Sequence, residues 1–188
     1  MNKTLGIILG ILGVALLGFI LFPIRVNNRM VALDENADAA WANVDAVLQR
    51  RYDLIPNLVN TVKGFAEHEK SILEEVTRLR SQWAGASQPG DRAQAAQQLE
   101  GALGRLMVVV ERYPDLKANQ NFLALQDELA GTENRISVER RRYNNAVRAY
   151  NTYIRSFPGS MFAEKRGFER RAPFEAAPSV REAPQVEF

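Results

Sequence analysis

The side chains best suited to chemistry fall in two stretches, Glu67, His68, Glu69, Glu74 and Glu75 in one and Glu128, Glu133 and Glu139 in the other. Carboxylates of this density on facing helices are the raw material of di-iron bundles, which require Glu-x-x-His on two of the helices. The chain has one His, and the residue three before His68 is Phe65. A site of that kind is excluded by count. His68 reads instead as an exposed helix residue able to titrate near neutral pH. With no Cys there is no zinc-thiolate site, iron–sulfur cluster, disulfide or thiol nucleophile. Ser71, Ser81 and Ser137 have no nearby His, and Gly101-Ala-Leu-Gly104 lies inside an apolar run rather than in a phosphate-binding turn. The expectation is a chain without catalytic, cofactor or metal residues, and so not an enzyme.

What remains of the charge pattern is structural. Arg51 follows Val44 and Leu48, Glu69 lies between Phe65 and Ile72, and Glu139 lies between Ile136 and Tyr143, all where a helical repeat calls for an apolar residue. A buried charge is tolerated only when paired, so Arg51, Glu69, Glu139 and Arg140 form a candidate polar core layer. Arg51–Glu139 or Arg140–Glu69 bridges would set helix register, and the alternative is a polar pocket for a ligand or ion. Arg140-Arg141-Arg142 spreads over about 200° of helix and makes no flat phosphate-binding patch. A net charge of +2, from 24 Lys+Arg against 22 Asp+Glu, does not point to nucleic acid. The basic residues Arg166, Arg170 and Arg171 would add a headgroup or acidic-partner site only by folding back beside the arginine run.

These residues must be positioned by helices, because apolar residues recur at three and four from Arg25 to Phe157 and β signals are nearly absent. The first helix carries Met30, Leu33, Ala37, Trp41, Val44 and Leu48. The second runs from Ile55 through Leu58, Val62, Phe65, Ile72, Val76 and Leu79 to Trp83. Asp53 as an N-cap and Pro56 in the first turn mark a break or kink between them. Gly85–Gly90 is a loop, and a third helix spans about Asp91 to Arg112 until Pro114 stops it. The last, roughly Leu116 to Phe157, has a heptad seam of Phe122, Leu125, Leu129, Thr132, Ile136, Glu139, Tyr143, Ala146, Tyr150, Tyr153 and Phe157. The predicted fold is all-α, an up-and-down antiparallel four-helix bundle with long helices.

Ahead of the bundle, Thr4 to Phe22 carries no charge, and at about 1.5 Å per residue it makes roughly 28 Å of helix, enough to span a bilayer. It is longer than a signal-peptide core and ends in Phe22-Pro23-Ile24-Arg25 without a small-residue cleavage site. Arg25 and Arg29 follow the span closely, and against Lys3 they favour a cytoplasmic body. Gly6, Gly10 and Gly13 share one helix face, which serves self-association or reflects how common Gly is in membrane helices. The organisation is then a tail (1–3), a transmembrane helix (4–24), the bundle (25–157), an aromatic and basic segment (158–175) and a flexible Pro-rich tail (176–188).

Leu48 to Glu69 (LQRRYDLIPNLVNTVKGFAEHE) and Asn121 to Pro158 (NFLALQDELAGTENRISVERRRYNNAVRAYNTYIRSFP), together with Ala40-Trp41, Val44-Asp45 and the single preceding span, resemble the LemA family over about residues 4 to 175. The resemblance implies a membrane-anchored bacterial four-helix bundle without an established activity, single-pass in the plasma (inner) membrane. It also implies neighbours such as a membrane protease or a TPM-domain protein, and a short N-terminus outside. The Pro-rich C-terminal extension departs from the family pattern.

On the last helix, Tyr143, Asn144, Tyr150, Asn151 and Tyr153 combine amides and aromatic rings in the manner of a protein–protein surface. The functional expectation is a non-enzymatic, homo-oligomeric scaffold or adaptor that contacts lipid bilayer and envelope proteins. The alternative is a membrane-tethered sensor whose polar layer responds to a small ligand or to pH and shifts the kink at Pro56.

Overall fold

The computed structural model describes residues 3–174, with the side chains of 3–6, 8 and 67 excepted. Within these residues seven α-helices follow one another: α1 (Lys3–Asp53), α2 (Ile55–Lys63), α3 (Lys70–Gly85), α4 (Pro89–Val110), α5 (Pro114–Lys117), α6 (Gln120–Arg155) and α7 (Ser160–Ala163). Short 3-10 turns at Glu67–Glu69 and Glu164–Arg166 precede α3 and follow α7. Among the described residues there is no strand. The chain is all-helical with one long apolar N-terminal helix. The Pro-rich tail expected at 176–188 lies outside the described residues.

Among the described residues two compact units are present, one formed by the chain up to Ala39 with Asn144–Ala172 and the other by Ala40–Tyr143 with Pro173 and Phe174. In the first, the apolar start of α1 is unburied, with Ile7, Val14 and Phe19 exposed. From Val26 the helix changes character. Val26, Met30 and Leu33, spaced four and three apart, are buried against Tyr150, Ile154 and Ala163, with Tyr153, Phe162 and Phe168 packed on this core. The segment after α6 turns back through two glycines. A Cβ at Gly159 would stand 2.2 Å from the Tyr153 carbonyl oxygen, and Gly167 adopts φ 74° to end the 3-10 turn, a conformation that L side chains rarely take.

The second unit buries Val44, Leu48 and Tyr52 of α1, Ile55, Leu58 and Val62 of α2, and Ile72, Val76, Leu79 and Trp83 of α3. Ala96, Leu99, Leu103, Leu106 and Val110 of α4 and Phe122, Leu129, Ile136 and Tyr143 of α6 complete its core. Local chemistry sets the helix starts. Pro89 occupies the first turn of α4, with Asp91 beside it, where a missing N–H costs nothing and a negative charge meets the positive end of the helix dipole. Asn119 Oδ1 accepts from the Phe122 N–H at 3.1 Å, capping α6.

Three expectations require correction. The helix read from Ile55 to Trp83 is interrupted at Gly64–Ala66, where Gly64 weakens the helix. Ala66 then takes the buried place, and Phe65 stands 42% exposed. The last helix begins at Gln120 rather than Leu116 and ends at Arg155, leaving Phe157 exposed rather than on the seam. Asp53 does not cap α2, whose N-cap is Leu54 without a side-chain bond. It accepts instead from Gln49 Nε2 at 2.7 Å.

Candidate functional site

Arg51 is the buried cation of the second unit, 8% exposed. It lies seven residues after Val44 and three after Leu48, and so on the same inward face of α1. Its Nη2 donates to Glu100 Oε2 at 2.7 Å, and its Nη1 donates to the Leu129 carbonyl at 2.8 Å and lies 3.0 Å from Glu133 Oε2. Thr132 Oγ1 donates to the same Leu129 carbonyl at 2.8 Å. Next to Arg51, the Tyr52 hydroxyl donates to Glu100 Oε1 at 3.3 Å, and its ring meets Trp83 edge-on with centroids 4.7 Å apart. One arginine thereby joins α1, α4 and α6.

The electrostatics follow from depth. Burial pushes the Glu100 carboxyl above its ordinary range, and the Glu133 carboxylate adds to this, while Arg51 opposes it. Burial likewise raises the Tyr52 phenol well above the usual tyrosine value, with Glu100 reinforcing the shift. Both groups are held toward their neutral forms by the same apolar surroundings.

Of the residues singled out in sequence, Arg51 occupies this layer, and the Arg140 charge acts on both Glu100 and Tyr52. The Arg140 guanidinium lies over the Phe174 ring at 4.4 Å. Glu69 and Glu139 do not pair as expected. Glu69 accepts from Arg112 Nη2 at 2.8 Å and from the Tyr113 hydroxyl at 3.1 Å, while Glu139 accepts from Arg142 Nη1 at 2.7 Å, one turn along its own helix. The Arg51–Glu139 and Arg140–Glu69 bridges are therefore replaced by Arg51–Glu100 and Arg51–Glu133. Glu100 escaped the sequence reading although its position marks it, four after Ala96 and three before Leu103, both buried.

The expected interaction surface on the last helix is also corrected. Tyr143 and Tyr150 are buried. The Tyr150 hydroxyl donates to the Glu169 carbonyl at 2.9 Å, and the Asn151 amide both donates to the Arg171 carbonyl and accepts from its N–H, at 2.8 and 3.0 Å. Tyr153 packs on the core of the first unit, and Asn144 is partly buried. The chain's own segment after α7 occupies the face offered by Tyr150 and Asn151. Its Arg171 is held by Asp34 at 2.7 Å and by both oxygens of Asp38, so that Arg171 folds onto α1.

Pro56 sits in the first turn of α2, directly after the break at Leu54. Gly10 and Gly13 have open space where a Cβ would stand, and Gly6 falls among the residues whose surroundings are not described. His68 is exposed in the 3-10 turn. Among the described residues no three His, Cys, Asp or Glu side chains converge to hold a metal ion.

The LemA family model matches residues 40–188. The chain belongs to the LemA family. The matched range begins at the second unit and leaves out the apolar start of α1. Among curated LemA-like relatives, magnetosome protein MamQ 2 of Paramagnetospirillum magneticum (strain ATCC 700264 / AMB-1) is 29% identical over 178 residues, covering 81% of this chain and 65% of the relative. Magnetosome protein MamQ of Magnetospirillum gryphiswaldense is 27% identical, covering 92% and 73%. Protein LemA of Metamycoplasma hominis is 25% identical, covering 80% and 69%. The chain thus spans just under two thirds of the length of the first of these relatives. None of these names is that of an enzyme.

Proposed function

We propose that this LemA-family chain is a membrane-anchored, non-enzymatic adaptor, a helical bundle tethered by α1 that self-associates and presents its helices to other envelope proteins. The observation that carries the reading is the start of α1. From Ile7 to Ile24 its described large apolar side chains stand 40–80% exposed, and among the described residues one helix is long and apolar enough to cross a membrane. Each such side chain gains about 1.5–3 kcal/mol on leaving water, so a bilayer is the environment that satisfies the stretch as a whole. Anchoring confines copies to a plane and raises their effective concentration, so weak contacts suffice. The open face at Gly10 and Gly13 is where two α1 helices would approach, and Arg25 and Arg29 after the span favour a cytoplasmic body on the bacterial inner membrane. Crosslinking of the full chain in lipid nanodiscs and in native membranes tests this. Dimers or higher species, together with co-isolated membrane proteins, are the expected result, and a strictly monomeric chain with no captured neighbour overturns it.

One observation favours a second reading, a sensor. Glu100 is held toward its protonated form beside Arg51, one helix away from the break at Leu54. The Glu100→Gln variant tests it: oligomeric state or helix order that changes between neutral and mildly acidic pH in the native chain but not in the variant supports sensing, and identical behaviour removes it.

A further inference from the structure

Beside the end of the apolar stretch of α1, the first unit carries a second apolar surface of its own. The Phe22 ring meets the Phe162 ring edge-on, with centroids 6.3 Å apart. This contact sets α7 level with Phe22, two residues before the uncharged run ends at Ile24. Helix α7 is a single turn, too short to persist alone. It is held by Ala163 and Phe162 packing on the Val26, Met30 and Ile154 core, and by Arg166 Nη1 donating to Asn27 Oδ1 at 2.8 Å. On this fixed scaffold Phe157 is 75% exposed and Met161 58% exposed. Arg25, Arg29, Lys165 and Arg166 are exposed as well, and none has a carboxylate partner among the described residues.

Isolated exposed apolar side chains are ordinary on protein surfaces. The position of this pair is not. Met161 adjoins Phe162, which meets Phe22 three residues before Arg25, and Phe157 precedes Met161 by four residues, which sets the pair near the depth at which aromatic residues gather in membrane proteins and basic side chains reach lipid headgroups. We propose that the corner formed by Phe157 and Met161 is a second membrane contact, which enters the headgroup region of the leaflet nearest Arg25 while Arg25, Arg29, Lys165 and Arg166 bind the phosphates of anionic lipids. The inference rests on α1 crossing the bilayer and deepens that reading. A single helix is free to rotate and tilt in a membrane, whereas helix and corner together fix the orientation of the first unit on its leaflet. Each of the four cations is expected to strengthen docking on an anionic leaflet roughly fivefold.

Because the native chain has no Cys, single thiols report cleanly. An environment-sensitive fluorophore is attached in the full chain through Met161→Cys, Val14→Cys or Ser87→Cys, and the protein is reconstituted at high lipid excess into phosphatidylcholine vesicles with or without phosphatidylglycerol. The probe at position 161 is expected to be blue-shifted, shielded from aqueous iodide and quenched by shallow lipid nitroxides in the anionic vesicles. Shielding should fall in pure phosphatidylcholine and in the Arg29→Gln/Lys165→Gln variant. The probe at 14 should respond to deep nitroxides and the probe at 87 to iodide. Iodide access at 161 equal to that at 87, with 14 still deep, overturns the second contact while the anchor stands. Iodide access at 14 overturns the anchor and the corner together. Shielding at 161 that ignores lipid charge overturns headgroup binding, and shielding lost on dilution into more lipid assigns the corner to a second copy of the chain and overturns the proposal.

Discussion

In the unit that begins at Ala40, Arg51 holds Glu100 and Glu133; in the unit that includes the chain up to Ala39, Arg171 holds Asp34 and Asp38. The two clusters have the same composition, one guanidinium between two carboxylates, and differ in depth. The Arg51 side chain is 10% exposed, with Glu100 at 21%. Arg171 is 23% exposed, with Asp38 at 54%. Burial dominates at Glu100 and raises its pKa, whereas at Asp38 the hydrogen bond from Arg171 dominates and lowers it. Depth, rather than the choice of partners, decides whether such a cluster favours the ionised carboxylate.

The largest effect is expected at Arg51. Arg51→Leu leaves Glu100 buried without its cation and should cost the second unit about 3 kcal/mol or more, read from chemical denaturation with hydrogen exchange to localise the loss. Replacing both partners, Arg51→Leu with Glu100→Leu, should restore most of that, because an apolar pair avoids desolvating charge. Equal losses in the single and double variants would show that the ion pair itself stabilises the fold.

The pH dependences should have opposite signs. Glu100 binds its proton more tightly folded than unfolded, so its contribution to stability falls as pH rises from the unfolded value of 4.5 through its raised folded value, with a slope of at most about 1.4 kcal/mol per pH unit. Glu100→Gln should flatten it. For Asp38 the folded value is depressed below 3.8, so its stabilisation is present above that value and is lost as pH falls through the folded one. Hydrogen exchange followed downward from neutral pH should show the second unit tightening before the first loosens. Slopes of one sign in both units would end the contrast.

Smaller effects sharpen it. Arg171→Gln should loosen residues 160–171 by about 1 kcal/mol, seen as faster proteolysis there with the second unit unchanged. Tyr52→Phe removes a hydroxyl that donates at long range to Glu100 Oε1 (3.3 Å) and the Ala96 carbonyl (3.4 Å) and should cost about 0.5 kcal/mol in thermal melts.

Some of this was legible in the sequence, for identifiable reasons. The apolar run before Arg25 and the inward register of Arg51 depend on one helix alone, and periodicity reports them. Which carboxylates meet Arg51 depends on how three helices are rotated about one another, so the register of Glu100, between Leu99 and Leu103, does not name its partner. Tyr150 and Asn151 were read as an open surface because the segment that covers them, Glu169 to Arg171, has no periodicity to announce its course. The interruption at Gly64 was hidden because apolar spacing continues across it, although a different residue, Ala66, turns inward.

Everything proposed for this chain rests on α1 joining a bilayer to the helical body. Ser87→Cys, in the exposed turn between α3 and α4, is expressed in cells, and the chain is followed through fractionation and labelling with a membrane-impermeant thiol reagent. The expected result is a chain that stays with the membrane through alkaline washing and labels only after lysis. Recovery in the soluble fraction would contradict the anchor, and labelling in intact cells would contradict the cytoplasmic body.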